Sequence, residues 1–305
     1  MHIAVVIVGF RNAGDILECV SALERSTYRD FEVVICENGG DEAYRQLSAL
    51  LSGMRPGGRD VRCLNAEGNV GYAGGVNICL RETTYADAWW ILNPDTEPHV
   101  DALAALVHRL VRGDCDAVGG TIYLPNGRIQ SYGGRWRAWF GRAVSLGFGR
   151  VDGAVARATV EKELNFLSGA SMLVSARFVR EAGLMREDYF LYCEEVEWCI
   201  RAARRGLRLG FAPNAQVVHR AGGATGSHVE IKMRPKLPIY LDERNKLLLT
   251  RDHFLRRLPI VALSSLFLIF MRFGRRGAYR QLRFALDGWL AGLRNERGRP
   301  SWISF

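Results

Sequence analysis

The first third of the chain alternates short apolar runs with segments whose apolar residues recur at helical spacing. The apolar runs predict buried strands at 3–8, 31–36, 61–64 and 89–92. The helical segments between them begin near Asp15 and Asp41, which the pattern predicts as N-caps. Strands that alternate with amphipathic helices are typical of βαβ units around a mainly parallel sheet.

The pattern loosens after about residue 116 and becomes helical towards the end of the chain. The stretch 125–160 is rich in Gly and Arg and predicts long loops or hairpins. The other predicted elements are strands at 117–123 and 171–174, helices at 176–182 and 194–205, a strand ending at Val218, and helices over 240–295. We therefore expect an α/β domain over residues 1–240, divided near residue 115, and a helical segment over 241–305.

Basic residues are concentrated in this C-terminal segment. The formal net charge is +9, and residues 244–283 contain ten Lys or Arg but a single acidic residue, so the rest of the chain is close to neutral. The cations flank the apolar run 258–271. A basic, amphipathic helical extension of this kind suits an anionic membrane surface better than a nucleic-acid groove. We therefore predict a membrane partner and no nucleic-acid partner.

The run 258–271 is short for a membrane span. Its 14 residues would extend ~21 Å as a helix at ~1.5 Å per residue, whereas the hydrocarbon core is ~30 Å thick. The chain opens on the apolar run 3–8 with no basic leader before it. The expectation is a cytoplasmic protein, peripheral on the inner face of the cell membrane. The alternative is that 258–271 packs at a domain or homodimer interface.

Two candidate sites follow predicted strands in the N-terminal half. The strand at 89–92 ends in Asn93, Pro94 and Asp95, at the sheet edge where α/β proteins bind ligands. Mg²⁺ or Mn²⁺ commonly takes such a carboxylate together with phosphate oxygens, although these residues also favour a simple turn. The glycine-rich stretch 69–77 would let backbone N–H groups approach a phosphate. Close packing of a helix on a strand explains those glycines equally well.

Two further candidates lie in the second half. The stretch 189–201 places three carboxylates in the first turn of a predicted helix. One of them is a candidate general base, although acidic residues also complement the helix dipole at this position. His219 directly follows a predicted strand and would complete a metal site begun by Asp95, unless it is structural. All four candidates fall at strand ends, the edge where an α/β active site assembles.

Taken together, these segments resemble the family 2 glycosyltransferases of GT-A fold, and most of all the bacterial rhamnosyltransferase-type branch. The resemblance extends over about residues 3–255. It is carried by the order and spacing of 7–12, 33–40, 68–77, 92–96, 166–171, 190–201 and 219–225. The resemblance implies a Rossmann-like α/β domain with a nucleotide-sugar half up to about 115 and an acceptor half over 116–240.

The resemblance also implies roles for individual residues. Asp95 and His219 match the family's metal ligands, for Mg²⁺ or Mn²⁺, and Glu195 matches its base. The family usually has Asp at the positions of Glu37 and Glu195, so neighbouring Glu194 is the alternative base. The predicted donor site consists of Val8, Phe10, Arg11, Glu37, Asn69, Gly71, Gly74, Asn77, Asn93 and Asp95. The predicted acceptor side consists of Trp136, Trp139, Ser168, Gly169, Ala170 and Trp198.

The implied reaction is transfer of a sugar from a nucleotide diphosphate donor, dTDP-rhamnose or a UDP-sugar, with inversion at the anomeric carbon. The acceptor would be a hydroxyl of a glycan or a lipid-linked glycan. Two alternatives remain open at this point. One is a catalytically inactive, sugar-nucleotide-binding membrane adaptor, and the other is a nucleotidyltransferase, which shares the sheet architecture.

Overall fold

Short strands supply most of the framework in the computed structural model, which describes residues 1–151, 155–220 and 230–303. The first two strands are buried along their whole length, as expected in a sheet covered on both faces; the first is apolar throughout, and the second also buries Glu32 and Glu37. The strands are β1 (Ile3–Gly9), β2 (Phe31–Glu37), β3 (Arg62–Asn65), β4 (Ala88–Leu92), β5 (Thr96–Pro98), β6 (Ala117–Tyr123), β7 (Ile129–Ser131), β8 (Gly134–Arg137), β9 (Arg142–Ser145), β10 (Ser171–Ser175) and β11 (Leu209–His219).

The central sheet has the order β3-β2-β1-β4-β10-β6-β11-β5, with β7 paired to β6. Strands β3, β2, β1 and β4 are parallel to one another, which confirms the predicted βαβ half. Strand β10 runs antiparallel between β4 and β6. Hydrophobic clusters cover both faces of the sheet. The loops that follow β1, β2 and β4 therefore lie at one edge of the sheet.

Helices cover this sheet and form the C-terminal part of the chain. Asp15 and Asp41 were predicted as N-caps, but the caps are Asn12 and Gly40, because the first two helices begin at Ala13 and at Asp41 itself. The helices are α1 (Ala13–Glu24), α2 (Asp41–Leu51), α3 (Gly71–Glu82), α4 (Ala102–Leu110), α5 (Arg157–Glu163), α6 (Ala176–Ala182), α7 (Glu194–Arg204), α8 (Lys236–Phe254), α9 (Leu258–Ile269) and α10 (Tyr279–Leu293).

The C-terminal helices pack directly on the α/β domain. Leu248 and Leu249 of α8 belong to the same hydrophobic core as β1 and β4. Helix α10 lies close against α8, because a Cβ on Gly288 would come within 2.2 Å of the Tyr240 carbonyl oxygen. Helix α8 starts at Lys236 and crosses the predicted boundary at residue 240. The division into domains stays a prediction.

The apolar run 258–271 forms α9 and part of a following π-helical turn, Phe270–Gly274. The apolar side chains of α9 point in all directions around its axis. The expected amphipathic pattern is therefore wrong for this helix. The continuous helical stretch that contains this apolar run is longer than the run itself. Lys236–Gly274 is long and apolar enough to cross a membrane by length and composition alone, and 22% of its most apolar 18-residue window is buried. The 14-residue apolar run was predicted to be too short to span a membrane, but the length of the whole helical stretch does not exclude a span.

Candidate active site

A cavity of about 470 Å³ opens at the carboxyl ends of β1 and β4. Loops that follow parallel strands at one edge form the usual ligand cleft of an open α/β sheet. Leu237 at the start of α8 and Ile303 near the C-terminus add to its walls, so the cavity joins distant parts of the chain. We call it the donor cavity. The predicted residues that line it are Val8, Phe10, Asn69, Gly71, Asn93, Asp95 and His219.

Asp95 and His219 contact each other at this cavity. Strands β5 and β11 pair with Thr96 opposite His219, and this register brings the residue before Thr96 next to the imidazole. His219 Nε2 lies 3.1 Å from Asp95 Oδ1. The other ring nitrogen, Nδ1, is 2.9 Å from Gln130 Oε1, and Asn93 Nδ2 is 3.3 Å from Nε2. When Nδ1–H donates to Gln130, Nε2 presents a lone pair towards the Asp95 carboxylate.

This pair fits a divalent cation. A nitrogen lone pair and a carboxylate at 3.1 Å repel each other unless a proton or a metal cation lies between them, and a histidine whose second nitrogen is hydrogen-bonded is oriented for metal binding. Within 1–151, 155–220 and 230–303, no cluster of three or more His, Cys, Asp or Glu could hold a metal. Mg²⁺ and Mn²⁺ accept few protein ligands when phosphates complete their shell. Asp95 and His219 therefore suit a metal shared with a phosphate-bearing ligand.

Glu37 and Arg11 lie behind the donor cavity and do not line it. Glu37 is buried, and its Oε1 accepts hydrogen bonds from the backbone N–H of Arg11 at 3.0 Å and of Gly39 at 2.7 Å. Arg11 Nε in turn donates to the Gly39 carbonyl oxygen at 3.0 Å. These bonds join the loop after β1 to the loop after β2. The structure therefore gives both residues a part in shaping the loops, and a direct donor contact stays a prediction.

Asn77 and Gly74 have structural roles on α3, which corrects their assignment to the donor site. Asn77 is buried, and its Nδ2 donates to the Met185 carbonyl oxygen and to Glu187 Oε1, both at 2.8 Å. Its Oδ1 accepts from the Met185 N–H at 3.0 Å. A Cβ on Gly74 would lie 2.8 Å from the Cβ of Val70. Asn77 therefore joins α3 to the segment that contains Met185 and Glu187, and Gly74 leaves room for the Val70 side chain at the start of its own helix.

The loop before α7 has an unusual backbone conformation. Its non-glycine residues Phe190, Tyr192 and Cys193 have φ values between 67° and 70°, a region that such residues rarely adopt. Asn245 of α8 holds the loop in place. Its Nδ2 lies 2.8–3.0 Å from the carbonyl oxygens of Tyr189, Leu191 and Tyr192. Asn245 was not among the predicted site residues, and its one visible signal in the sequence is an amide on the buried side of a helix.

The glycine-rich stretch supports the same loop from the other side. Gly71 has φ +77°, and a Cβ there would lie 2.3 Å from the Phe190 carbonyl oxygen. The backbone N–H of Tyr72 donates to that oxygen at 2.8 Å. The Tyr72 hydroxyl donates to the Gly169 carbonyl oxygen at 2.8 Å, and a Cβ on Gly169 would lie 3.7 Å from that of Glu195. Tyr72 therefore connects the donor cavity to the start of α7.

Glu194 and Glu195 begin α7 in different surroundings. Glu194 is 3% exposed, and its Oε2 has no hydrogen-bond partner in the part of the chain that the structure describes. Glu195 is partly exposed beside Gly169. Burial raises the pKa of both carboxyls, the charge of Glu195 raises the pKa of Glu194 further, and backbone N–H groups at the helix start lower that of Glu195. Glu195 is therefore the better placed to accept a proton from a bound ligand.

We expect Glu194→Gln to stabilise the protein by a few degrees at pH 8. The raised pKa means that the folded state holds a proton that the unfolded state releases, so this group lowers stability as pH rises above the ordinary value of 4.5. Glutamine cannot ionise and removes that loss. Melting temperatures of both proteins between pH 5 and pH 8 should diverge as pH rises. Glu163→Gln, at an exposed position, is the control, and a gap that stays constant with pH would contradict the assignment.

The structure corrects two of the predicted acceptor-side residues. Trp198 is fully buried, and its Nε1 donates to the Gly183 carbonyl oxygen at 2.7 Å. Residues four apart share a helix face, so Trp198 points into the core together with Glu194. Trp136 on β8 is 5% exposed. Neither indole presents a face on which a sugar could stack.

The remaining acceptor-side residues lie in two places. Trp139 is exposed, with the Arg257 guanidinium 4.4 Å from its ring centre, next to the start of α9. The segment of Ser168, Gly169 and Ala170 lies beside the donor cavity, because the Asn93 N–H donates to the Ala170 carbonyl oxygen at 3.1 Å. Their contact with an acceptor stays a prediction. Of the segment 219–225 that carried part of the resemblance, 221–225 lies outside the described residues.

Curated proteins with similar sequences are sugar transferases. The low-salt glycan biosynthesis hexosyltransferase Agl10 of Haloferax volcanii is 21% identical over 98% of this chain and 93% of its own. The N-acetylglucosaminyl-diphospho-decaprenol L-rhamnosyltransferase of Mycobacterium tuberculosis is 24% identical over 68% of this chain and 72% of its own.

Solved structures share the fold. The mannosyltransferase PcManGT of Pyrobaculum calidifontis, solved with GDP-Man and Mn²⁺, has a TM-score of 0.56 at 15% identity and covers 97% of this chain and 88% of its own. S. aureus TarS 1–349 has a TM-score of 0.55 at 14% identity over 96% and 81% of the two chains. The fold is therefore that of GT-A glycosyltransferases, as predicted. The family model "Glycosyl transferase family 2" matches residues 4–181, more than half of the sequence, and the chain belongs to that family.

Proposed function

We propose that this glycosyltransferase moves a sugar from a nucleoside diphosphate to a hydroxyl of a lipid-linked glycan, with inversion and with the help of Mg²⁺ or Mn²⁺. The observation that carries the proposal is the Asp95–His219 pair at 3.1 Å in the wall of the donor cavity. Glu195 supports it, because Tyr72 and Gly169 connect that carboxylate to the same cavity. In this proposal the Asp95–His219 pair and the Glu195 carboxylate belong to one site.

Each residue has a separate task in the proposed reaction. Asp95 and His219 would hold the metal, which when bound neutralises charge that develops on the departing diphosphate. Val8, Phe10 and Asn69 border the space for the nucleoside. Glu195 takes the proton from the acceptor hydroxyl, and its burial-raised pKa brings it closer to neutral pH, where a general base works best. The hydroxyl then attacks the anomeric carbon directly, so no covalent enzyme intermediate is needed.

The donor and acceptor follow from similar proteins and stay proposals. PcManGT was solved with GDP-Man, TarS with UDP-GlcNAc, and the mycobacterial relative is named for rhamnosyl transfer to a diphosphate-linked lipid. We propose dTDP-rhamnose or a UDP-sugar as the donor. A thermal-shift panel of dTDP-, UDP- and GDP-sugars with Mn²⁺ tests the choice, because a ligand that binds the native state raises its melting temperature.

We further propose that α9 rests on the anionic inner leaflet and brings the lipid-linked acceptor to the site. Val261, Ala262 and Ile269 face inwards, while Leu263 and Phe267 are 71% and 64% exposed. Arg256 and Arg257 precede the helix, and Arg272, Arg275 and Arg276 follow it. Each could gain on the order of 1 kcal/mol near an anionic surface. Lipid is a better partner than water for this combination of exposed apolar and basic side chains.

Flotation with anionic liposomes tests this surface. We expect the wild type to float at low salt and Leu263→Glu/Phe267→Glu to stay behind, because two carboxylates would enter the apolar boundary. Val111→Glu, at another exposed apolar position, should float like the wild type. Equal flotation of the double variant would show that α9 is not the contact. Loss of a dimer in the double variant, without any flotation of the wild type, would instead show a homodimer interface.

A further inference from the structure

A second cavity, of about 460 Å³, lies between the β8–β9 hairpin and the C-terminal helices. We call it the basic cavity. It shares no lining residue with the donor cavity. Its charged lining consists of Arg142, Asp242, Glu243, Lys246, Arg272 and Arg276.

Cations outnumber carboxylates in this cavity. Lys246 Nζ is 2.6 Å from Asp242 Oδ2 and 3.2 Å from Glu243 Oε1, and Arg272 lies 3.7 Å from both carboxylates. Among the described residues, no acidic side chain lies within ion-pair distance of Arg142 or Arg276. The two arginines therefore leave the cavity with surplus positive charge, which favours an anionic ligand.

The basic cavity opens into an apolar surface. Phe140 at the tip of the hairpin and Leu268 of α9 are part of its lining. Both are exposed, and Leu268 follows Phe267, the exposed apolar residue that shares a helix face with Leu263. A charged recess bordered by exposed apolar side chains suits an amphiphile, because the anionic head would be paired while the apolar chain leaves water.

The cavity is also close to the candidate base. Asp242 and Lys246 of this cavity lie within three residues of Asn245 on α8. Asn245 holds the loop before α7. Burial raises the pKa of the Cys193 thiol in that loop. The carboxylates of Asp242 and Glu195 raise this pKa further, and the ammonium of Lys246 lowers it. The same loop lines the donor cavity through its residues 190–192. Helix α8 therefore lines the basic cavity and also holds the loop that lines the donor cavity.

We propose that the basic cavity binds the phosphate or diphosphate of a lipid-linked acceptor, with the apolar chain lying along α9. This inference rests on the proposed function and names the part of the acceptor that the enzyme recognises. A diphosphate that joins a sugar to an alkyl chain is a dianion, which matches the two surplus arginines. Its sugar would then extend past the loop towards Glu195, where the hydroxyl is activated.

Calorimetric titration of the full chain with farnesyl diphosphate tests the site. EDTA is present throughout, so that Asp95 and His219 cannot draw the probe to the donor cavity through a metal. Arg142→Gln/Arg276→Gln should weaken binding roughly tenfold or more, because charge-assisted hydrogen bonds are lost. Arg180→Gln, at an exposed position on α6, should bind like the wild type. Melting temperatures of all variants show that the fold is kept.

Inorganic diphosphate and farnesol separate the head group from the chain. The proposal expects both to bind more weakly than farnesyl diphosphate, and the double variant to keep its Mn²⁺-dependent affinity for nucleoside diphosphates. Wild-type affinity of the double variant for farnesyl diphosphate would overturn the site. Equal affinity for inorganic diphosphate would overturn the lipid part. If the wild type binds no nucleoside diphosphate but binds farnesyl diphosphate in a way that depends on the two arginines, the proposed function is refuted and the lipid diphosphate site is supported.

Discussion

Glu195→Gln should lower kcat by about 10²–10⁴-fold, the usual contribution of a general base, and leave the affinity for donor and metal unchanged. Glutamine has the same size and keeps its place at the start of α7, but it cannot accept a proton. The reaction is followed as release of nucleoside diphosphate from the donor in the presence of lipid extract. Thermal shift with the nucleoside diphosphate and Mn²⁺ measures the affinity in parallel.

Glu194→Gln is the matched control for this experiment. Glu194 is buried, whereas Glu195 lies beside Gly169. We therefore expect kcat of Glu194→Gln to fall less than about tenfold, well below the effect of a lost general base. A larger loss for Glu194→Gln than for Glu195→Gln would move the base by one residue. Normal turnover in both variants would mean that no carboxylate at the start of α7 is the base, and would favour a different mechanism or an inactive adaptor.

Asp95→Ala and His219→Ala should each reduce metal-dependent turnover by on the order of 10²-fold or more, because a Lewis acid contributes several kcal/mol to such a step. Each variant removes one of the two side chains that meet at 3.1 Å. We expect adding Mn²⁺ to restore little activity. The measurement is the rate of nucleoside diphosphate release as a function of Mn²⁺ concentration.

Glu97→Ala is the control for the metal variants. Glu97 follows Asp95 by two residues on β5, but it is exposed and pairs with Arg25 at 3.6 Å on the surface, where an ion pair contributes little. Its turnover should equal that of the wild type. If Asp95→Ala or His219→Ala also keeps wild-type rates and the same response to Mn²⁺, the metal assignment is wrong.

The sequence predicted the framework well because its signals are local. The runs that became β1 and β4 contain no charged residue, and the centre of β2 is equally apolar, as burial on both faces of a sheet favours. Asp95 could be placed at the carboxyl end of a strand for the same reason. The N-caps were less predictable: they are Asn12 and Gly40, not Asp15 and Asp41, because helix ends depend on one or two backbone torsions.

The parts that the sequence did not predict depend on contacts between distant residues. Gln130 reaches His219 across 89 positions, and Asn245 reaches Tyr189 across 56. Nothing near either residue in the sequence indicates its partner. Trp198 was predicted at the acceptor side, but its position on the helix turns it into the core. The antiparallel insertion of β10 also depends on topology and not on local pattern.

Calorimetric titration with UDP, dTDP and GDP, with and without Mn²⁺, tests the central claim most directly. The wild type should bind at least one of them about tenfold more tightly with Mn²⁺, since the metal would join the diphosphate to Asp95 and His219. Asp95→Asn should lose that gain and keep its melting temperature. If no nucleoside diphosphate binds the wild type in the presence of Mn²⁺, or if the affinities are the same without metal and in Asp95→Asn, a metal-assisted transfer from a nucleotide sugar at this site is contradicted.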